Sequence, residues 1–548
     1  MFNFRKISSL LAILVLACML VSTFALTSCN ILDIIKGGTT TKNPTDNPNP
    51  IVDPIDDNYR TLYQIYVRSF ADSNGDGVGD IRGIIETFDY LNDGDISSGN
   101  DLGVQAIWLT PIFYGNSAHK YDAIDFYSID PEFGTEDDLR ELIALCNERN
   151  VKLILDLALN HTSTSNNWFK EFKNAHKKGD TSNKYYNYYS WYSSKLNGGY
   201  VQVPGQNLWY ECWFDTQGGS MPELNYDNQA VREEMLNVAK YWMDLGVHGF
   251  RFDAVKYIYY NDHVKSPAFY EWYTGELRKA YPDIYLIGEC WDTEANMLKY
   301  YKGMNCFNFS MAGNGIIASA SKGTGAISAF TDNISNLQKK ILGVNPNGML
   351  SSFLSNHDQD RSAGFIATDN QRKMAASLYL LTPGTPVIYY GEEIGLKGSG
   401  DSAEDANRRL PMKWGDVWTC EIPSYATYSI DLWSNTVYDQ QRDEDSLMLH
   451  YAKVLKIRHT YPAIARGTYQ PIYGGKVSFG GFYINYNGDK MMVLHNTSAT
   501  ETVTVDLTKL THLSEYTSFE LLDYVGVSDA TIEGTTLTLG PQTTIIFR

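Results

Sequence analysis

Short apolar runs and longer amphipathic runs alternate along most of the chain. Eight apolar runs have the length of buried strands, and they cover residues 62–70, 104–113, 151–160, 247–255, 284–291, 304–311, 349–355 and 385–390. Amphipathic stretches that fit helices lie between most of them, at residues 136–149, 229–245, 267–281, 327–342 and 371–381. Buried strands that alternate with helices are typical of βα units with a parallel sheet. The pattern therefore predicts an α/β fold, a (β/α)8 TIM barrel, whose chemistry lies on the loops that follow the strands.

Two segments do not fit a plain barrel. Residues 162–225 separate the third strand from its helix, and a connection of this length inside a compact domain is usually functional. We expect an inserted subdomain there that walls one side of the cleft, while residues 59–161 and 226–465 form the barrel. Residues 466–548 alternate Thr, Val, Tyr and Ile between Gly-rich turns, which predicts a C-terminal all-β sandwich domain.

The N-terminus has the features of an export signal. Arg5 and Lys6 precede an uncharged apolar run, so residues 1–28 are predicted to be a signal peptide. The end of this run resembles the bacterial lipobox, in which a cysteine, here Cys29, is lipidated and becomes the new N-terminus. Residues 29–58 are rich in Gly, Thr, Asn and Pro and are predicted to form a flexible tether. We expect an extracytoplasmic protein, lipid-anchored to the bacterial cell membrane or cell surface. A plain signal peptide with an incidental cysteine is the alternative.

Charge and cysteine content exclude several classes of protein. The net charge of −19 repels phosphate backbones, so we expect no nucleic-acid partner. Besides Cys18 in the signal and Cys29, five cysteines remain, an odd number without a C-x-x-C pair. This indicates neither a complete disulfide framework nor a zinc site. The 39 tyrosines and 11 tryptophans offer flat apolar faces that suit sugar rings.

Polar residues follow four of the predicted strands, at positions where packing of the barrel core does not require polar side chains. Three are carboxylates, Asp253, Glu289 and Asp358, at the ends of the fourth, fifth and seventh strands. Arg251 lies two positions before Asp253, on the same face of the strand, where its guanidinium can keep that carboxylate ionised. An ionised carboxylate beside a second, less polar one is the arrangement that glycoside hydrolysis requires.

From residue 62 to its end the sequence resembles the α-amylase family, glycoside hydrolase family 13. Four strand-end blocks carry the resemblance, at 156–161, 249–256, 288–291 and 356–358, and residues 221–225 are similar to a fifth family segment. The resemblance implies that Asp253 is the nucleophile and that Glu289 is first the acid and then the base. It also implies that Asp358 binds sugar hydroxyls and distorts the ring.

The same resemblance implies substrate-binding roles for six further residues, Tyr121, His161, Arg251, Lys256, His357 and Arg408. Among these, Tyr121 matches the tyrosine that stacks under the sugar undergoing cleavage, and Arg251 orients the nucleophile. The two histidines bind hydroxyls of that sugar. Arg408 belongs to a segment, residues 408–414, that resembles a family segment on the loop after the eighth strand.

Three positions bear on bond specificity. Ala254 resembles the α-1,4-acting members, Tyr257 replaces a frequent histidine, and Glu223 replaces the usual aspartate, close to a type shared with neopullulanase-like enzymes. We expect retaining hydrolysis of internal α-1,4-glucosidic bonds in starch, maltodextrin or a related α-glucan polysaccharide or oligosaccharide. The alternatives are an exo-acting or α-1,6-active oligosaccharidase, a neopullulanase or a glucosyltransferase. A non-catalytic starch-binding lipoprotein would have lost at least one carboxylate, and all three are present.

An acidic, Gly-rich loop follows the first strand. Its oxygens recur at alternate positions around a glycine turn, as in loops that wrap Ca²⁺, and they come from Asp72, Asn74, Asp76, the Val78 carbonyl and Asp80. The loop lacks the closing glutamate of an EF-hand, because Gly83 stands at position twelve. Related amylase-type enzymes carry a similar calcium loop, so we expect a structural Ca²⁺. A metal-free acidic turn is the alternative.

Overall fold

The computed structural model describes residues 60–95, 98–195, 198–399 and 405–548. The predicted signal peptide, the tether and Cys29 lie outside these residues. Within the described ranges, no helix combines the length and the apolar character needed to cross a bilayer. In the same ranges the five cysteines, Cys146, Cys212, Cys290, Cys306 and Cys420, are buried free thiols.

Eight parallel strands form the central sheet. They are β1 (Leu62–Ile65), β2 (Ala106–Leu109), β3 (Lys152–Leu157), β4 (Gly249–Phe252), β5 (Tyr285–Gly288), β6 (Asn305–Phe307), β7 (Leu350–Ser351) and β8 (Val387–Tyr389). Their order is β7-β6-β5-β4-β3-β2-β1-β8. The sheet closes where the Val387 amide donates to the Ser352 carbonyl at 2.9 Å and Val387 pairs in parallel with Phe353. The predicted TIM barrel is confirmed.

Both faces of the barrel strands are largely apolar, as in a parallel sheet that is covered on both sides, and Gln64, Asp156 and Arg251 are buried polar exceptions. One face fills the barrel interior with a cluster that includes Leu62, Trp108, Ile154, Ile287, Phe307 and Val387. The other face packs outward against the helices, for example Leu153 and Leu155 with Leu139 and Leu142 of the helix before β3. This explains why the strands appear in the sequence as continuous apolar runs.

Helices connect the barrel strands. The α-helices of the barrel and its connections are Ile81–Glu86, Phe88–Leu91, Glu136–Glu148, Gln229–Leu245, Lys265–Ala280, Glu294–Met297, Ile316–Ser321, Ile327–Val344, Ser362–Phe365, Asp369–Leu380, Val437–Gln440, Leu447–Thr460 and Pro462–Arg466. Local sequence sets the ends of several of them. Thr135 and Asp138 form a capping box on the third helix, and the next begins at the cap Asn228 and ends at Gly246, whose φ is 110°.

Two further segments shape the cleft. Residues 162–225 form the helix Asn167–Lys178 and a small antiparallel sheet of Trp191–Tyr192, Trp209–Glu211 and Tyr200–Gln202. A hairpin of Phe113–Gly115 and Ala123–Ile129, which the sequence pattern did not predict, follows β2. It carries Tyr121 in its connection.

The C-terminal part is all β. Its strands are β9 (Thr468–Lys476), β10 (Phe479–Tyr486), β11 (Asp489–Asn496), β12 (Val503–Asp506), β13 (Leu521–Gly526), β14 (Ala530–Glu533), β15 (Thr536–Leu539) and β16 (Thr543–Phe547). A five-stranded sheet, β9-β10-β11-β16-β13, and a three-stranded sheet, β12-β15-β14, enclose a separate apolar core. This confirms the predicted C-terminal β domain. It is attached to the barrel by the helix Ile327–Val344, where Gln338 Nε2 donates to the Gly467 carbonyl at 2.8 Å.

Candidate active site

The three predicted carboxylates line one cavity at the C-terminal ends of the barrel strands. Asp253 directly follows β4, Glu289 directly follows β5, and Asp358 lies on the loop after β7. The cavity has a volume of about 680 Å³. Its remaining lining residues are His119, Tyr121, His161, Phe214, Met221, Ala254, Lys256, Tyr257, Trp291, Asp405 and Arg409. Six of the nine predicted catalytic or substrate-binding residues therefore line one cavity, although they are distant in sequence: Tyr121, His161, Asp253, Lys256, Glu289 and Asp358.

Arg251 connects the carboxylates at the bottom of the cleft. Its Nη1 donates to Asp253 Oδ1 at 2.7 Å and to Asp156 Oδ1 at 2.8 Å, and its Nη2 donates to Glu289 Oε2 at 2.6 Å. All four side chains are buried. One guanidinium therefore fixes the distance between Asp253 and Glu289. Asp156 balances its charge, and Trp108 Nε1 donates to the second Asp156 oxygen at 3.1 Å.

The carboxylates differ in proton affinity. Burial raises the pKa of Asp253 to about 6 and that of Glu289 to about 7, and Arg251 opposes both shifts. Burial also raises the pKa of Asp358, but the neighbouring His357, Arg409 and Arg251 outweigh it and hold that pKa below its usual range. Near neutral pH, Asp253 is mostly ionised and Glu289 retains a proton for much of the time. This is the division of roles between a nucleophile and an acid.

A hydrogen-bonded chain supports the Tyr121 side of the cleft. Tyr121 Oη donates to Asp156 Oδ2 at 2.9 Å and lies 2.7 Å from His357 Nε2. Gln64 Nε2 lies 2.7 Å from His357 Nδ1. Burial lowers the pKa of His357 to about 3, so the ring is neutral. The amide of Gln64 then donates to Nδ1, which leaves the proton on Nε2, facing the Tyr121 hydroxyl. Gln64, which lies on β1, was not identified from the sequence.

His161 is buried, lines the cavity and has no hydrogen-bond partner at either ring nitrogen within the described chain. Burial lowers its pKa to about 3. A neutral imidazole with unused hydrogen-bonding capacity is suited to a substrate hydroxyl. His161 therefore lines the same cavity as the three carboxylates, and its role toward a substrate stays a prediction.

The loop after β8 contributes Arg409 to the cleft. Arg409 Nη2 donates to Asp358 Oδ1 at 2.8 Å and to Asp405 Oδ2 at 3.1 Å. Arg408, the residue predicted to bind substrate, donates instead to Asp360 Oδ1 at 3.1 Å and is not among the residues that line the cavity. The motif gave the correct segment but not which of its two arginines faces the cleft.

The backbone after Asp253 turns sharply. Ala254 has a left-handed φ of 40°, which costs a non-glycine residue on the order of 1 kcal/mol. Asn160 Nδ2 holds the turn by donating to the Asp253 carbonyl at 3.1 Å, and the Ala254 amide donates to Glu289 Oε2 at 3.2 Å. Beyond the turn, Lys256 Nζ donates to the Trp291 carbonyl at 2.8 Å. Lys256 thereby connects the loops after β4 and β5.

The predicted calcium loop makes hydrogen bonds with its own backbone. The Asp72 carboxylate accepts from the Asn74, Gly75 and Gly77 amides, and Asp80 caps the helix Ile81–Glu86. Asp76 accepts from the Val78 amide. In the described part of the chain, no group of three or more His, Cys, Asp or Glu side chains is placed to hold a metal. A calcium site in this loop would also need the side-chain oxygen of Asn74 and the carbonyl oxygen of Val78 as ligands. The Asp72, Asp76 and Asp80 carboxylates can still bind a cation, because each has lone pairs beyond those used in these hydrogen bonds. Calcium binding stays a prediction.

Comparisons with known proteins identify the family of this chain. The chain matches the family described as Alpha amylase, catalytic domain, over residues 64–467. It is 34% identical over 497 residues to "Alpha-amylase 3" of Dictyoglomus thermophilum, covering 89% of this chain and 92% of that protein. It is 27% identical over 576 residues to "Oligo-1,6-glucosidase" of Bacillus cereus, covering 89% and 98%. Eubacterium rectale Amy13B has a similar solved structure, with a TM-score of 0.82, 32% identity, and 90% and 96% of the two chains covered.

Proposed function

The chain belongs to the alpha-amylase family of α-glucan-active enzymes, and we propose that it is a retaining hydrolase of internal α-1,4-glucosidic bonds in starch or maltodextrin. One observation carries the proposal. Arg251 binds Asp253 and Glu289 at once, through its two terminal nitrogens. Two carboxylates bound to the same guanidinium lie close together, and retaining glycosidases use a pair of carboxyl groups that are about 5 to 5.5 Å apart.

The reaction has two steps. In the first, Asp253 attacks the anomeric carbon and forms a β-glucosyl ester, while Glu289 donates its proton to the departing glycosidic oxygen. In the second, Glu289 removes a proton from water, which attacks the ester and releases a product with the original α configuration. The raised pKa of Glu289, about 7, suits both tasks, because the group can donate and accept a proton near neutral pH.

The remaining cleft residues position the sugar. Asp358 and Arg409 form a charged pair that can bind hydroxyls of the glucosyl ring, and His161 offers a neutral donor and acceptor. Tyr121, held by Asp156 and His357, offers a ring face beneath the same sugar. These groups act on the glycosyl side of the bond, because they surround the nucleophile.

Product analysis tests the proposal directly. We expect purified enzyme to degrade amylose to a series of short maltodextrins, and NMR of the first turnovers to show the α-anomer. Release of the β-anomer would overturn the double displacement. Release of a single small product from the chain ends would overturn internal cleavage.

An α-1,6-active oligosaccharidase is the second candidate. Glu223, in a segment similar to that of neopullulanase-like enzymes, and the similarity to an oligo-1,6-glucosidase favour it. Isomaltose and pullulan separate the two: the α-1,4 hydrolase leaves isomaltose intact, whereas the oligosaccharidase cleaves it. A glucosyltransferase would instead build longer products from maltotriose.

For the location of the enzyme we propose export and lipid anchoring at Cys29, supported by the lipobox-like sequence. Stable attachment requires two acyl chains or more, which this kind of lipidation supplies. We expect wild type to fractionate with membranes and Cys29→Ala to appear in the soluble or secreted fraction. Equal membrane association of both forms would contradict the anchor.

A further inference from the structure

The connection of the hairpin after β2 carries a buried lysine between two cleft residues. His119 and Tyr121 line the cavity, whereas Lys120, which lies between them in sequence, is 4% exposed and is not among the lining residues. Lysine is almost never fully buried unless its amine is paired. A charged side chain in this place therefore has to be held by specific partners.

Two carboxylates and a carbonyl hold the Lys120 amine. Its Nζ lies 2.8 Å from Asp130 Oδ2 and 2.7 Å from Glu132 Oε2, and it donates to the Gly115 carbonyl at 3.2 Å. Asp130 is buried as well, and its Oδ2 also accepts from the Gly115 amide at 3.1 Å. Glu132 Oε2 has a second cationic partner in Arg68, at 2.9 Å. The amine, which has three donors, thus has three acceptors on the hairpin and just beyond it.

The backbone at Lys120 is strained. Its φ is 60°, in the left-handed region that residues with a Cβ seldom adopt. The Lys120 amide donates to Ser117 Oγ at 3.1 Å, and the Tyr121 amide donates to His119 Nδ1 at 3.1 Å. A glycine would adopt this turn without strain. The chain has a lysine instead, whose amine makes ion pairs that a glycine cannot make.

Stability alone does not account for this lysine, because replacing a buried ion pair by apolar side chains is often neutral or stabilising. The next residue, Tyr121, is held tightly. Its Oη lies 2.9 Å from Asp156 Oδ2 and 2.7 Å from His357 Nε2, and its ring plane lies 7° from that of His357. A shift of about 1 Å would lengthen both contacts beyond hydrogen-bonding range, and misplacement of this size can lower a rate by about a factor of 100.

We propose that Lys120 is a positioning residue, whose amine holds the strained turn on the hairpin and so sets where Tyr121 and His119 lie in the cleft. The inference rests on the proposed α-glucan hydrolase function. Lys120 acts only through its two neighbours, because its own side chain is directed away from the cavity. Without the amine the turn can relax, and the sugar on the glycosyl side of the bond is then bound less tightly and in a poorer orientation.

Kinetics with α-maltotriosyl fluoride test the inference, because all the sugars of this substrate lie on the glycosyl side of the bond that breaks. Lys120→Met keeps the side-chain stem and loses the amine. We expect kcat/KM per folded molecule, with the folded fraction taken from circular dichroism, to fall about tenfold. The double variant Lys120→Met with Asp130→Asn leaves no unpaired buried carboxylate, so it protects the fold, and its kcat/KM should fall to a similar extent.

Lys373→Met is the matched control. Lys373 is 8% exposed, donates to the Asp445 carbonyl from the helix Asp369–Leu380 and does not line the cavity. This variant also removes a buried amine, so its melting temperature should fall as it does in Lys120→Met. Its kcat/KM per folded molecule should stay at the wild-type value.

Three outcomes would overturn the inference, and they are distinguishable. A wild-type kcat/KM in folded Lys120→Met and in the double variant overturns the positioning role and leaves the hydrolase function intact. An equal loss in Lys373→Met also overturns it, because the effect would then come from a general loosening of the fold. Absence of glucan hydrolysis and of fluoride turnover by wild type overturns the proposed function and the inference with it.

Discussion

Asp253 and Glu289 share one arginine, yet the proposed mechanism gives them different tasks that mutation can separate. Glu289→Gln should abolish hydrolysis of native glucan, whose poor leaving group needs a proton, and retain glycosylation by glucosyl fluoride, whose leaving group does not. Asp253→Asn should lose both reactions, because no covalent intermediate can form. Steady-state and burst kinetics with native glucan and with glucosyl fluoride measure the rates of the two reactions. If Asp253→Asn keeps fluoride turnover while Glu289→Gln loses it, the two roles are reversed.

We expect Gln64 to be a positioning residue, because it contacts His357 and does not line the cavity. Its amide donates to His357 Nδ1 and so directs the Nε2 proton toward Tyr121 and Asp358. Gln64→Glu replaces the donor by an acceptor of the same shape, which moves the histidine proton to Nδ1. We expect kcat to fall about tenfold while the melting temperature changes little.

A control variant separates the effect of the His357 tautomer on kcat from the effect of side-chain packing at position 64. Gln64→Met has similar length but neither donates nor accepts strongly, so its kcat should lie between wild type and Gln64→Glu. Wild-type kcat in Gln64→Glu would show that the His357 tautomer does not matter for the reaction.

At the scale of elements, the acidic loop after β1 is the place where a metal would act on stability. If Asp72, Asn74, Asp76, Asp80 and the Val78 carbonyl bind Ca²⁺, removing it with a chelator should lower the melting temperature. Binding at free calcium ~100 times Kd contributes about 3 kcal/mol. Asp76→Ala should abolish this sensitivity.

A matched variant tests whether the effect of the chelator on the melting temperature arises from this loop. Asp431→Ala removes an acidic side chain from another turn, where it accepts from the Trp433 amide, and should leave the response to chelator unchanged. Identical melting of metal-stripped wild type with and without added calcium contradicts the site.

At the scale of the whole molecule, a buried acidic pair after β8 connects the first strand to two helices, Asp369–Leu380 and Leu447–Thr460. Glu393 accepts from Tyr63 on β1, and Glu392 accepts from Tyr379 and from Tyr451 on the helix Leu447–Thr460. Burial raises the pKa of Glu392 to about 7. A carboxyl whose pKa is higher in the folded state stabilises the fold at low pH, and this stability is lost as pH rises from about 4.5 through 7.

Glu392→Gln measures how the ionisation of Glu392 changes the stability of the fold, because the amide keeps an acceptor for both tyrosines and cannot ionise. The free energy of unfolding of wild type, relative to that of Glu392→Gln, should fall by on the order of 3 kcal/mol between pH 4.5 and pH 8. Urea titrations of both proteins at pH 4.5 and pH 8 measure these free energies of unfolding. If the free energies of unfolding of wild type and Glu392→Gln differ by the same amount at both pH values, Glu392 is not protonated in the folded protein.

Much of this protein could be predicted from short stretches of sequence. The eight strands, the main helices and the three carboxylates at strand ends follow from apolar periodicity and from polar residues where a buried strand stops. These are local signals, because a strand or helix pattern fits within about ten residues and parallel strands always end at the same rim.

Other features needed the folded chain, because they depend on which distant residues meet and which way a side chain turns on a loop. The bond from Arg251 to Asp156, the role of Gln64 and the placement of Arg409 rather than Arg408 in the cleft are set by geometry across strands and loops. The ring of Phe214 in the inserted subdomain contacts the ring of Tyr257 after β4, with centroids 4.7 Å apart, and no local sequence pattern predicts that contact. Raised pKa values have the same origin, since burial is a property of the whole fold.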